Sequence, residues 1–170
     1  MNILEQVPLI AATRRNHGIE HATVYMLSRR QPDRRLVARS DHRGFVIFGD
    51  TTDSELTDAV NEALRRMQAG AANLAVHPNC GTNFVTSGLL AGMAAWLAGR
   101  LGGEKWSWWE QLPLVTVAAT LALFVAQPLG RALQTHVTTS AQVAGVHLAG
   151  VTRRPNLGPV MVHFVELAAG

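Results

Sequence analysis

Two short segments hold the side chains whose types and spacing could do chemistry. The first, Asn16-His-Gly-Ile-Glu-His21, sets His17 and His21 four residues apart with Glu20 between them. On an α-helix such a pair shares one face, so both imidazoles can grip one metal ion with Glu20 beside them. The order His-x-x-Glu-His is the inverzincin arrangement, in which two histidines bind zinc and the glutamate activates a metal-bound water. The second segment, His77-Pro-Asn-Cys80-Gly-Thr82, places an imidazole and the chain's single thiol three residues apart in a turn. A His-x-x-Cys turn can aim both groups at one ion, much as Cys-x-x-Cys does in zinc ribbons. Together His17, His21, His77 and Cys80 make a His3Cys donor set that suits zinc, with iron or copper(I) as alternatives.

The other histidines are weaker candidates. His42 sits in a turn with Asp41 and Arg43 and is expected at the surface. His136, beside Thr135, Thr138 and Thr139, can cap a helix end or sit near the metal. His147 and His163 fall on extended C-terminal segments, as packing residues with a wet edge. The run Arg29, Arg30, Arg34 and Arg35 can either contact anionic lipid, each residue worth about 1 kcal/mol near the surface, or line a solvated hairpin. No phosphate-binding glycine loop, serine-nucleophile elbow or dinucleotide fingerprint is present.

These segments need elements to position them. Residues 3–28 read as a helix broken near Arg14-Arg15-Asn16, with Asn16 as the N-cap of the second piece. Leu36–Arg39 and Phe45–Phe48 read as short strands joined by a turn, and Thr52-Asp-Ser-Glu55 as a capping box. Leu56, Val60, Leu64 and Met67 then repeat at helical spacing until Gly70. Leu74–His77 reads as a third short strand. Beyond the middle of the chain, Gln142–Val151 and Gly158–Leu167 read as two strands that should pair with the first hairpin, because a lone ribbon is marginal.

The middle of the chain is different in kind. Of the 170 residues only 16% are charged, against a usual share of about 25%, and the net charge is only +3. That small excess does not argue for nucleic acid, and one cysteine rules out an internal disulfide framework. The missing charge is concentrated in two stretches, Thr82–Gly99 and Gln111–Gly130. Both meet the length of about 17–20 helical residues that a hydrocarbon core requires. Gly88, Gly92 and Ala95 would let two helices approach closely, and Trp106, Trp108 and Trp109 in the connecting loop suit a headgroup layer. Arginines crowd the segment before the first span (Arg14, Arg15, Arg29, Arg30, Arg34, Arg35, Arg39, Arg43, Arg65, Arg66), while the loop has only Arg100 and Lys105. The positive-inside rule therefore expects both termini in the cytoplasm and the tryptophan loop outside.

The expected fold is an α+β membrane protein, a two-helix transmembrane hairpin inserted in a small cytoplasmic α+β unit. Its expected parts are 1–80, a hairpin at 81–131 with spans near 82–100 and 111–130, and a C-terminal ribbon at 132–170. The pair His17-Gly-Ile-Glu-His21 and His77-Pro-Asn-Cys-Gly-Thr82, followed by a span, resembles a group of bacterial and cyanobacterial membrane proteins of unknown function. Their signature is His-Gly-x-Glu-His, later His-Pro-x-Cys-Gly-Thr-x-Phe. Gly81, Thr82, Phe84 and the later Leu129-Gly130…Gln134…Thr138-Thr139 also match, over roughly residues 14–140. Ala22 stands where some members have a basic residue. The resemblance implies a membrane protein with a metal site at the cytoplasmic face and supplies no activity.

Two readings stay open. In one, a membrane zinc hydrolase or peptidase holds zinc on His17, His21 and His77, with Glu20 as general base and water in the fourth position. In the other, Cys80 closes the site, and zinc ties the N-terminal helix to the turn that starts the first span. The protein is then an accessory subunit that meets the bilayer and membrane-protein partners, or a second copy, through its hairpin. Four good donors for one ion tilt the balance to this second reading.

Overall fold

In a computed structural model that describes residues 3–101 and 106–170, the fold is α+β, with four α-helices and one four-stranded sheet among the described residues. The contacts divide it into two units. One joins the chain up to His77 with Thr135–Gly170, and the other is Pro78–Gln134.

In the first unit, helix α1 runs unbroken from Pro8 to Arg30 after a 3-10 turn at Ile3–Gln6. Proline suits the first helical position, where its missing N–H is no loss. The expected break at Arg14-Arg15-Asn16 does not occur. Arginine is a good helix former, and Asn16 lies inside the continuous helix with its amide Nδ2 donating to the Asp41 carbonyl at 2.9 Å. Strands β1 (Val37–Ser40) and β2 (Gly44–Phe48) form the expected hairpin. Helix α2 (Asp53–Gln68) starts at the Thr52/Glu55 capping box, and the chain leaves it through Gly70 at φ +100°. The strand expected at Leu74–His77 is instead a 3-10 turn, Ala72–Ala75, since Ala-Asn-Leu-Ala lacks β-branched residues and follows the Gly70 turn directly.

Strands β3 (Val146–Leu157) and β4 (Val160–Ala169) are antiparallel, and β4 pairs with β2, giving the order β1-β2-β4-β3. The C-terminal ribbon thus joins the first hairpin as expected. Alternation along β4 sorts its faces. Val165, level with Phe45 on β2, and Leu167 join Ile19, Ala22 and Leu27 of α1 and Leu56, Val60 and Leu64 of α2 in one core. Phe164 points to the other face, where the guanidinium groups of Arg43 and Arg154 lie over its ring at 5.7 and 5.1 Å.

The second unit is a helical pair, α3 (Gly81–Leu101) and α4 (Trp108–Leu133). A π-helical turn, Gln134–Thr138, continues α4. Both helices are long and apolar enough to cross a membrane, and only 11% and 6% of their most apolar windows are buried. The pair approaches closely at Gly130, where a Cβ would overlap Asn83, and at Gly99 beside Gln111 and Val115. Gly88 and Gly92, expected to permit that approach, face open space instead. Trp106, Trp108 and Trp109 are all exposed, while residues 102–105 of the connecting loop, including Lys105, lie outside the described residues.

Candidate metal centre

Three of the four expected ligands, His17, His21 and His77, lie in the first unit. His17 and His21 sit one helical turn apart on α1, with ring centroids 4.4 Å apart and a ring nitrogen of each within 4.8 Å of the other. His77, just past the 3-10 turn, stacks obliquely on His21 with centroids 5.8 Å apart. The helix and the turn thus converge three imidazoles.

Hydrogen bonds set the chemistry of two of them. Nδ1 of His17 lies 3.0 Å from the Thr138 carbonyl, and Nδ1 of His21 lies 2.7 Å from the Ala75 carbonyl. A carbonyl oxygen only accepts, so in each ring Nδ1 carries the proton. The neutral tautomer then has its lone pair on Nε2. This is how metal-binding histidines are held: the second nitrogen donates to an oxygen that fixes the ring and raises its basicity. Burial, with the neighbouring His21, pushes the His77 pKa below the ordinary histidine range. That too favours the neutral, ligating form.

The local fold explains the carbonyls. Gly18 follows His17 and lets the 138–140 segment approach α1, since a Cβ there would lie 2.5 Å from the Ser140 carbonyl oxygen and 3.2 Å from Ala75. Arg14, one turn before His17, is buried and anchors the same segment. Its Nε donates to the Val137 carbonyl at 2.7 Å, and Nη2 to the His136 and Thr139 carbonyls, each at 3.0 Å. Its Nη1 pairs with Glu5, and the Ser140 N–H returns a bond to the Arg14 carbonyl at 2.9 Å. Sequence reasoning counted Arg14 as a topology charge and as part of an expected helix break, not as a positioning residue. The available signal was its spacing, three residues before His17 and so on the same helix face.

Glu20 is buried, and its carboxylate accepts the Ser40 hydroxyl of β1. Burial raises its pKa above the ordinary carboxylate range, against the opposing effects of Ser40 and His17. The remaining histidines divide three ways. His42 and His147 are exposed, and His136 is an exposed residue of the π-helical turn. His163 is buried rather than wet-edged, with Nε2 2.9 Å from an Asp53 oxygen at the start of α2. Cys80, the fourth expected ligand, is buried and lies in the second unit, three residues beyond His77.

No solved structure matches the chain. An uncharacterised protein of the cyanobacterium Picosynechococcus sp. is 36% identical over 137 residues, covering 75% of this chain and 65% of that relative. The chain therefore spans just under two thirds of the relative's length. A family model described as a domain of unknown function, DUF6391, matches residues 12–151, a stretch that contains both histidine motifs and both apolar helices. On that match the chain belongs to the DUF6391 family.

Proposed function

We propose that the protein is an integral membrane metal-binding protein whose zinc-type site lies at the cytoplasmic membrane face and serves a structural, accessory role. The observation that carries this reading is the paired tautomer arrangement, with both α1 imidazoles donating through Nδ1 to backbone carbonyls. In this reading His17 and His21 supply two imidazoles from α1, and Cys80 would add the thiol as a third donor. His77 supplies the further imidazole. Three residues of chain reach at most about 11 Å, so the spacing of His77 and Cys80 would allow both to serve one ion. Four donors of this kind make a closed site, the usual form of structural zinc.

Support for the membrane comes from the two long apolar helices, their low burial and the exposed tryptophans. The arginine bias favours cytoplasmic termini. The hairpin and its partners, whether other membrane proteins or a second copy, would make this an assembly subunit. A hydrolase with Glu20 as general base is the second reading, favoured by the raised pKa of that buried carboxyl. Against it, Glu20 already accepts the Ser40 hydroxyl.

The test is metal content per chain by elemental analysis of detergent-purified protein. About one zinc in the wild type, lost in Cys80→Ser and kept in Glu20→Gln, supports the closed structural site. Zinc kept in both variants, together with hydrolysis of a peptide library that Glu20→Gln abolishes, supports the hydrolase. A metal-free wild type purified from zinc-replete cells without chelator refutes both.

A further inference from the structure

A cavity of about 260 Å³ opens between α3 and α4 at the end of the pair where α3 begins. Its wall is unlike the rest of these helices. Asn83 and Ser87 on α3 are four residues apart, as are Gln127 and Arg131 on α4, so each pair shares one helix face. Asn79 adds another amide, Phe84 supplies an apolar side, and none of the lining residues is acidic. Polar side chains on helices this apolar are costly in lipid and mark functional surfaces.

Part of the wall is fixed. Asn83 Nδ2 donates to the Pro78 carbonyl at 2.7 Å, and its Oδ1 accepts from Gln134 Nε2 at 2.8 Å. Gly130 lets α4 press against Asn83. The cavity therefore has a held rim, hydrogen-bonding groups in Ser87 and Gln127, and one guanidinium. The first turn of the 21-residue α3 adds the positive end of its dipole on the same side. A volume near 260 Å³ is smaller than most drug-sized pockets and matches a compact polar group.

We propose that this cavity binds a phosphate-bearing anion, with Arg131 as its charge partner and Ser87 and Gln127 as hydrogen-bonding groups. Guanidinium matches the geometry of phosphate oxygens and stays charged at any physiological pH. Two sources share this chemistry, the headgroup of an anionic phospholipid and free phosphate. The lipid source rests on the reading that α3 and α4 span a membrane, whereas the free-phosphate source does not.

The experiment is native mass spectrometry of the full chain, delipidated in detergent and offered phosphatidylglycerol, phosphatidylcholine or inorganic phosphate separately. The expected result is retention of one phosphatidylglycerol in preference to phosphatidylcholine. Arg131→Gln should weaken it about tenfold or more, as loss of a charge-assisted bond predicts, and Arg131→Lys less. Gln127→Leu, which changes no charge and suits a lipid-facing helix, should weaken it severalfold. Competition by millimolar inorganic phosphate identifies the free anion as the ligand and still supports the site. Equal retention of both lipids with no phosphate binding overturns the proposal, as does wild-type affinity in Arg131→Gln. Alkaline carbonate extraction of cell membranes separates the two readings. Release of the protein, with Arg131-dependent phosphate binding intact, refutes the membrane reading and leaves this site standing.

Discussion

Replacing Gly18 by alanine tests the packing that builds the candidate metal centre. In an exposed helix that change stabilises by about 1 kcal/mol, because glycine is the poorer helix former. Here the new methyl would lie 2.5 Å from the Ser140 carbonyl oxygen, so that oxygen must retreat by at least about half an ångström. It cannot do so alone. The same short segment is bonded to Arg14 through the His136, Val137 and Thr139 carbonyls and the Ser140 N–H. Overpacking against a held backbone costs about 1–3 kcal/mol, which outweighs the gain in helix propensity. A net loss of about 1 kcal/mol lowers the melting temperature by about 2–4 °C at this size. The shift also draws the Thr138 carbonyl away from His17, so zinc affinity should fall together with stability. The assay is thermal unfolding of purified protein with and without zinc, beside Gly88→Ala, whose added Cβ meets nothing within 4 Å. Gly88→Ala should be neutral or stabilising. A Gly18→Ala protein as stable as the wild type, with unchanged zinc affinity, would refute the close approach on which the site depends.

The double variant His17→Ala/His21→Ala should take zinc from about one per chain to none, read by elemental analysis. In the wild type, zinc should be held at neutral pH and released on acidification, because protons compete for the ligating nitrogens. Arg14→Met leaves Glu5 and three carbonyls without their guanidinium, and should cost about 3 kcal/mol or more in chemical unfolding. Thr52→Ala should cost about 1 kcal/mol by removing the capping box at α2. At that same cap, Arg34 above all, with help from Thr52, holds the Glu55 carboxyl down at about 2. A depressed folded pKa means that its stabilisation is complete above the ordinary carboxylate range and is lost as pH falls towards 2. Glu55→Gln should flatten the stability-versus-pH curve in that acid window.

Much of the fold was legible because its signals are local. The Thr52/Glu55 cap, the period of Leu56, Val60 and Leu64, and the alternation of β4 each depend on neighbours a few residues away. The two apolar helices followed from charge gaps alone. The errors came where a distant partner decided the outcome. Asn16 looked like a cap until the Asp41 carbonyl, which no local pattern reveals, was seen to take its amide. Leu74–His77 looked extended, but the chain coils there and carries the Ala75 carbonyl to His21. Of the candidate site, the spacing that brings the His17 and His21 rings together on α1 was readable. The carbonyls of Ala75 and Thr138 were not, since every residue has one and only the tertiary fold chooses which is used.

The central pairing of the sheet, β2 against β4, has a consequence for biosynthesis. Phe48 and Val162 are partners in the finished sheet, yet both apolar helices are made between them. At about 5–20 residues per second, the ribosome needs on the order of ten seconds to travel from one to the other. Throughout that interval one edge of β2 is open, and His17 waits for the carbonyl of Thr138. The N-terminal half of this unit therefore lacks its central strand partner until both apolar helices have been made and β4 arrives. Truncation after α4 should yield a product that is degraded, although every metal-ligand candidate is already present in it.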